Sequence, residues 1–362
     1  FGWDFGKAAY QGMVILLISC PCALVISTPV TVVAAMASAA RNGVLIKGGA
    51  YLEEAAKVRV IAFDKTGVLT QGRPEVQTFR AVGDRDEMEA LRYLVALEKQ
   101  SEHPVGQAIV RYAQARGVGA EVAGDFRALQ GRGAEAIVGN ERFWAGSHRF
   151  VHERGVEHEH LCADVESMED AGHTAFLCGT SNEVWGMVSL ADPIREEAVD
   201  AVSQLRQAGI EHFVMLSGDN APTARAVGEK LGIDDVRSEL LPAEKATAVR
   251  ELRDRFVHVA MVGDGINDAQ ALASATVGIA LGRRSTYVAL ETADVVLMNE
   301  DLRRIGFVVR HARRAAAVIR QNVVFAIGLK AVFLFMAFAG MATLWMAIAA
   351  DMGATLLVTF NA

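Results

Sequence analysis

The chain has 362 residues, 52% of them hydrophobic and 22% charged, with a formal net charge of −7. The length allows two or three domains of about 100–200 residues, and the acidic balance offers no basic patch for nucleic acid. Charge is absent from Ala8 to Ala40, and from Gln321 to Ala362 only Lys330 and Asp351 carry it. That distribution excludes a simple soluble globule, a disordered chain and a disulfide scaffold; the four cysteines read as reduced thiols.

A membrane helix needs about 20 apolar residues. The run 8–40 is longer, is interrupted by Pro21 and Pro29, and exceeds the roughly 7–15 residues of a signal-peptide core. Cys20-Pro21-Cys22 lies in mid-run. Proline removes an amide donor and unwinds a helix, which can turn both sulfurs and the freed carbonyls toward one ion. The plain alternative is two small buried hydrophobes beside a kink. Arg41 and Lys47 after this run, and six arginines from Arg303 to Arg320 before the last one, place residues of about 41–320 in the cytoplasm. The first residue is Phe1 rather than methionine, which reads as a chain lacking its N-terminal part.

Between the apolar runs, short β-like runs alternate with helical stretches, an α/β pattern. Strands are expected at 58–63, 212–216, 258–262 and 276–280. The first three end on polar loops, where open parallel sheets place their sites. Asp64-Lys65-Thr66-Gly67 follows the first; a carboxylate there can attack phosphorus and form an aspartyl-phosphate. Residues 76–185 read as a separate inserted unit with helices at 85–99 and 105–116. Ser217-Gly218-Asp219-Asn220 ends the second strand, and its hydroxyl and turn amides can hold phosphate oxygens. Lys245 supplies positive charge for an anionic transition state. Gly263-Asp264-Gly265-Ile266-Asn267-Asp268 ends the third strand with carboxylates suited to Mg²⁺. Any one of these is commonly an ordinary turn; their order, each after a strand, points to phosphoryl transfer.

The last apolar run suits two spans, 319–339 and 341–360, with a turn near Gly340. Lys330 and Asp351 fall near their middles, where ionisable groups are costly and default to function. Two thiolates and Asp351 carry three negative charges. A divalent ion leaves one, which Lys330 balances.

With these motifs in place, the chain resembles the C-terminal half of a P-type ATPase, whose signature is the Asp-Lys-Thr-Gly run. The resemblance implies a Rossmann-like phosphorylation domain of haloacid-dehalogenase type (48–75 and 187–306), an inserted α+β nucleotide-binding domain (76–186), a membrane segment (1–47) and two final helices (307–362). It implies that ATP phosphorylates Asp64, that Asp64, Asp264 and the Thr66 carbonyl hold Mg²⁺, and that Lys65, Thr66, Ser217, Gly218, Asp219, Lys245 and Asn267 serve the phosphate, with Asp268 supporting the loop. Soluble phosphatases of the dehalogenase type usually carry a second Asp where Thr66 stands, so a persistent phosphoenzyme is expected. Glu98 with Ser101-Glu102-His103-Pro104, then Gly131-Arg132-Gly133, resembles the nucleotide pocket of the heavy-metal branch: Glu98 and His103 would hold adenine, and Gly131 and Gly133 would let backbone approach. The chain departs from that pattern at Gly146-Ser147, where Gly-Asn is frequent.

Lys330 and Asp351-Met352-Gly353 resemble the zinc, cadmium and lead members. The Tyr-Asn and the Met with paired serines of the copper members are absent. Cys20, Cys22 and Asp351 are therefore expected to bind Zn²⁺, Cd²⁺ or Pb²⁺, with Lys330 as the counterion, in a multi-pass protein of a bacterial inner membrane. The rivals are a copper(I) pump and a membrane-tethered phosphohydrolase. The Thr-Gly-Glu loop of the family's actuator domain and the earlier spans are absent from these residues, so they are the partners expected within the same pump, beside the lipid bilayer. His148, His152, His158, His160 and Cys162 cluster in the inserted unit and could form a regulatory metal site, but their spacing fits no recognised zinc motif and reads first as a solvated loop and helix face. Cys162 and Cys178 read as plain free thiols, and Asp192-Pro193-Ile194-Arg195 as a structural turn.

Overall fold

The computed structural model describes residues 5–119, 121–129, 132–155, 159–265, 267–282 and 291–362. The first apolar run forms two helices, Phe5–Ser19 and Cys22–Arg41, parted at Cys20-Pro21. Pro29, expected as a second interruption, sits inside the second helix without ending it, as proline does where neighbouring membrane helices support the backbone. At the other end a 36-residue helix, Arg303–Phe338, turns through Gly340 (φ +71°) into Leu344–Phe360. The stretches Ala9–Arg41 and Arg303–Phe338 are long and apolar enough to cross a membrane, and Leu16, Phe335, Trp345 and Phe360 point outward from these helices.

Strands β1 (Val44–Ile46) and β2 (Val60–Asp64) flank the helix Gly49–Lys57. The chain then leaves to build β3 (Glu75–Ala81), β4 (Gly124–Leu129), β5 (Gly133–Val138), β6 (Glu141–Ser147), β7 (Thr174–Thr180) and β8 (Val184–Ala191). It returns through β9 (His212–Leu216), β10 (Asp235–Arg237), β11 (Val259–Gly263), β12 (Val277–Leu281) and β13 (Val295–Leu297).

The first sheet has the order β1-β13-β12-β11-β2-β9-β10. Its pairings are parallel except the short edge pair β1–β13. Every residue of β2, β11 and β12 is buried, the pattern of strands covered on both faces. The four expected strands all form, displaced by two residues at most. The second sheet, β3-β8-β7-β6-β5-β4, is wholly antiparallel. Helices Glu87–Glu98 and Pro104–Ala115 pack one face of it through Leu91, Leu94 and Ile109. Helices His148–Arg154 and Glu159–Asp170 pack the other through Phe150 and Val165 against Trp144.

The two crossings between the sheets are tied together. The Asp192 carboxylate accepts from Thr70 Oγ1 at 2.6 Å and from the amides of Gly72 and Arg73 at 3.2 and 3.0 Å. Arg195 donates to the carbonyls of Thr70 (3.2 Å) and Gly67 (2.9 Å).

Arg313 couples the long terminal helix to the first sheet. Its guanidinium donates to the carbonyls of Ala56 (3.1 Å), Val58 (2.9 Å) and Ala208. These lie at the C-terminal ends of helices Gly49–Lys57 and Ala198–Gln207, where a cation is favoured. Arg313→Ala is expected to lower stability by about 1–3 kcal/mol, measured by thermal unfolding in detergent. Arg313→Lys is expected to recover only part, because an ammonium lacks the planar fork that reaches several acceptors.

Candidate functional site

The carboxyl ends of β2, β9 and β11 lie side by side, and each delivers part of one pocket. Asp64, the last residue of β2, is buried, and Lys245 from the helix Pro242–Phe256 pairs with its Oδ1. The same ammonium reaches Asp268 Oδ1 at 3.1 Å. Buried Lys65 points to the next strand end and pairs with Asp219. Ser217 is buried, and its Oγ accepts from the Asp219 amide at 3.0 Å. Gly218 beside it is exposed, as is Thr66 after Lys65. Asn267 holds both oxygens of Asp264, donating from its amide and its Nδ2 at 3.0 Å each. All the residues expected around the phosphate therefore belong to these three strand ends or to Lys245.

Burial, then the charge of Asp268, pushes the Asp64 carboxyl up to about 7 against the pull of Lys245. Burial raises Asp268 as well. For Lys245, burial acts to lower the ammonium, but Asp64 and Asp268 outweigh it and hold it above its ordinary value. Asp64, Asp219, Asp264 and Asp268 thus set four carboxylates against two ammonium groups, and Asp268 Oδ2 is buried without a hydrogen bond. That acidic excess fits a hard dication with oxygen ligands; Asp64, Asp264 and the Thr66 carbonyl could hold Mg²⁺.

The second sheet carries a cavity of about 690 Å³ lined by Glu98, His103, Phe126, Gly133, Ser147 and Phe176, among others. Burial pushes the Glu98 carboxyl up to about 7 and lowers the His103 imidazole, so near neutral pH Glu98 can donate as well as accept. His103 also caps the helix Pro104–Ala115, its Nδ1 accepting from the Val105 amide at 3.3 Å. Gly133 has φ +149°, and a Cβ there would lie 2.0 Å from the Ala145 carbonyl oxygen, so the close crossing of β5 and β6 itself demands glycine. Gly131 lies outside the described residues. Phe126 and Phe176, which suit the faces of a planar base, were not legible as ligand-binding, because a lone aromatic in a strand reads as core. The bonds of Asp192 and Arg195 to the loop after Asp64 were missed too; a polar pair around a proline signals only a turn.

In the membrane segment, Lys330 Nζ donates to the carbonyls of Ile18 (3.1 Å) and Cys20 and pairs with Asp351 Oδ1 at 3.2 Å. Cys20 and Cys22 flank the helix break with Cα atoms 5.6 Å apart. Across the break the two sulfurs are drawn together and face one point. The thiolate is the metal ligand, so only the reduced pair could bind an ion.

Residues 58–276 match the haloacid dehalogenase-like hydrolase family, and the chain belongs to it. Over its full length it is 42% identical to a probable cadmium-transporting ATPase of Staphylococcus aureus and 44% identical to a zinc/cadmium/lead-transporting P-type ATPase of Escherichia coli K12. It covers 50% and 48% of those proteins, so the chain spans about half the length of the curated relatives it matches. A zinc-transporting PIB-type ATPase crystallised in an E2.Pi state matches with a TM-score of 0.81 at 42% identity, over all of this chain and 58% of that one. These relatives bear out the resemblance to the zinc, cadmium and lead branch of the heavy-metal P-type ATPases.

The crowding around Asp64 has a thermodynamic consequence. With its folded pKa raised to about 7, the folded chain holds the proton more tightly than the unfolded one. That stabilisation is complete below about pH 4 and is lost as pH rises through 7. In magnesium-free buffer, Asp64→Asn is expected to raise stability at pH 8 by about 1–3 kcal/mol, with the gain vanishing near pH 4. Thermal unfolding at the two pH values checks it, and an equal gain at both would contradict it.

Proposed function

We propose that the chain is the C-terminal part of an ATP-driven pump that exports Zn²⁺, Cd²⁺ or Pb²⁺ from the cytoplasm through a phosphorylated Asp64. The observation that carries this reading is Lys330, which binds the Cys20 carbonyl and Asp351 at once. Joined by a lysine, the break at Cys20-Pro21-Cys22 and the carboxylate form a single site. Its three anionic ligands, Cys20, Cys22 and Asp351, match a soft or borderline dication better than copper(I), which favours sulfur over a hard carboxylate.

In this reading a carboxylate oxygen of Asp64 bonds to the γ-phosphorus of ATP as the bond to the β-phosphate oxygen breaks and ADP leaves. Lys245 offsets charge on the transferring group, and Asp268 holds Lys245 in place. Ser217, Gly218 and Asn267 receive phosphate oxygens, while Lys65 and Asp219 pin the loops. Bound Mg²⁺ would supply further charge neutralisation. Thr66 offers no carboxyl to activate water, so the phosphoenzyme persists long enough to be coupled to ion movement. Residues 76–186 present the nucleotide, with adenine between Glu98 and His103. The arginine-rich flanks support a cytoplasmic placement of residues of about 41–320, in a bacterial inner membrane. The actuator domain and earlier spans complete the pump.

In the full-length protein, acid-stable labelling from ATP is expected with wild type and none with Asp64→Asn. Steady ATP hydrolysis is expected to rise with Zn²⁺, Cd²⁺ or Pb²⁺. Label that survives Asp64→Asn would move the nucleophile elsewhere, and activation by Cu⁺ alone would overturn the choice of ion.

A further inference from the structure

We propose that His148, His152 and Cys162 form a second metal site, in the inserted unit, for a borderline or soft dication such as Zn²⁺ or Cd²⁺. The spacing that reads as a solvated face in the sequence becomes a cluster because two helices meet. His148 and His152 are one turn apart on the helix His148–Arg154, with ring centroids 4.5 Å apart. The neighbouring helix Glu159–Asp170 brings Cys162 to them. One ligand atom from each of the three lies within 4.8 Å of the others. Zinc bonds of about 2.0–2.1 Å to nitrogen and 2.3 Å to sulfur need separations of roughly 3.5 Å, so side-chain rotation by about an ångström completes the set. Two imidazoles and a thiolate are a donor set for Zn²⁺ or Cd²⁺ rather than for Mg²⁺, and a fourth position remains for water. His158 lies outside the described residues.

Among the described residues, the other cysteine of the inserted unit, Cys178, does not compete. It is fully buried, its Sγ lies 3.6 Å from the Gly186 carbonyl, and burial holds it far above the ordinary thiol range. Cys162 is only partly buried.

The position gives the site a consequence. His148, His152 and Glu169 line a cavity of about 460 Å³ together with Gly218, Asp219 and Asn220 of the phosphate loop. The turn after helix Glu159–Asp170 is bonded to the first sheet's side of this cavity, Thr223 Oγ1 donating to the His173 carbonyl at 3.1 Å. A metal clamping the two helices of the inserted unit therefore stiffens one wall of this cavity, opposite the loop Gly218-Asp219-Asn220. The proposal does not rest on the pump reading, since its ligands and its test are separate from the membrane site.

The test uses the full chain with Cys20→Ser and Cys22→Ser, in detergent, titrated with Cd²⁺. One equivalent is expected to produce a cadmium–thiolate charge-transfer band in the ultraviolet. Cys162→Ser is expected to abolish the band, and His148→Ala or His152→Ala to weaken binding at least tenfold. With the three ligands intact, Zn²⁺ is expected to slow alkylation of Cys162 at least tenfold, which needs no substitution at the site. Absence of the band, its survival in Cys162→Ser, or alkylation indifferent to Zn²⁺ would each overturn the site.

Discussion

An ammonium group in the middle of an apolar run stands on three acceptors, and the membrane part of the structure is arranged around it. The helix Phe5–Ser19 ends because Pro21 cannot continue its bonding, leaving carbonyls in its last turn without intrahelical partners. Lys330 takes the one at Ile18, together with the Cys20 carbonyl in the break itself, and closes on Asp351. Each group alone would be costly at this depth; translocon scales put a central Lys or Asp at about 2.5–3.5 kcal/mol. Together, the proline break caps a lysine and the lysine neutralises a carboxylate.

That lysine shares one helix with Arg313. Both lie on Arg303–Phe338, 17 positions apart, or about 26 Å at 1.5 Å per residue. Arg313 grips the ends of two helices beneath the first sheet, and Lys330 grips the break beside the cysteines. A continuous rod therefore joins the amino-terminal edge of strands β2 and β9, the end opposite Asp64, to the membrane helices, with a hydrogen-bonded cation toward each end. The Asp64 end is tied to the inserted unit through Asp192 and Arg195, which bond the loop following Asp64. The strand that ends in Asp64 is thus attached at its start to the long terminal helix and at its end to the crossing into the second sheet.

Much of this was legible in the sequence, because parallel strands buried on both faces read as short apolar runs and their sites follow at the carboxyl ends. Asp64, Asp219 and Asp264 could be placed together on that rule, whereas Lys245, on the helix Pro242–Phe256, was placed by its charge and by the family resemblance. The three-residue strands β1, β10 and β13 were not legible, being too short to show a period. The strands of the second sheet were missed for a different reason: glycines and polar residues dilute their alternation, so the region showed only its helices. Pro29 was over-read, since proline weakens a helix without always ending it, and the packing of neighbouring helices decides. The proximity of His148, His152 and Cys162 was not legible, because it comes from two helices and leaves no single spacing to recognise. Lys330 and Asp351 were legible as a pair, but the lysine's grip on the Ile18 and Cys20 carbonyls depends on where the first helix stops, which composition alone does not specify.

In the proposed pump, Lys330 is the built-in counterion of a dication site formed by Cys20, Cys22 and Asp351. The most direct measurement is equilibrium binding of Zn²⁺ to the reduced full-length protein, with Lys330→Ala and Asp351→Asn compared separately. Asp351→Asn is expected to weaken Zn²⁺ binding strongly. Lys330→Ala is expected to leave a site that still binds Zn²⁺, but whose carboxylate is no longer neutralised when the ion departs, so that release slows. Unchanged Zn²⁺ affinity and release rate in both variants would contradict this arrangement.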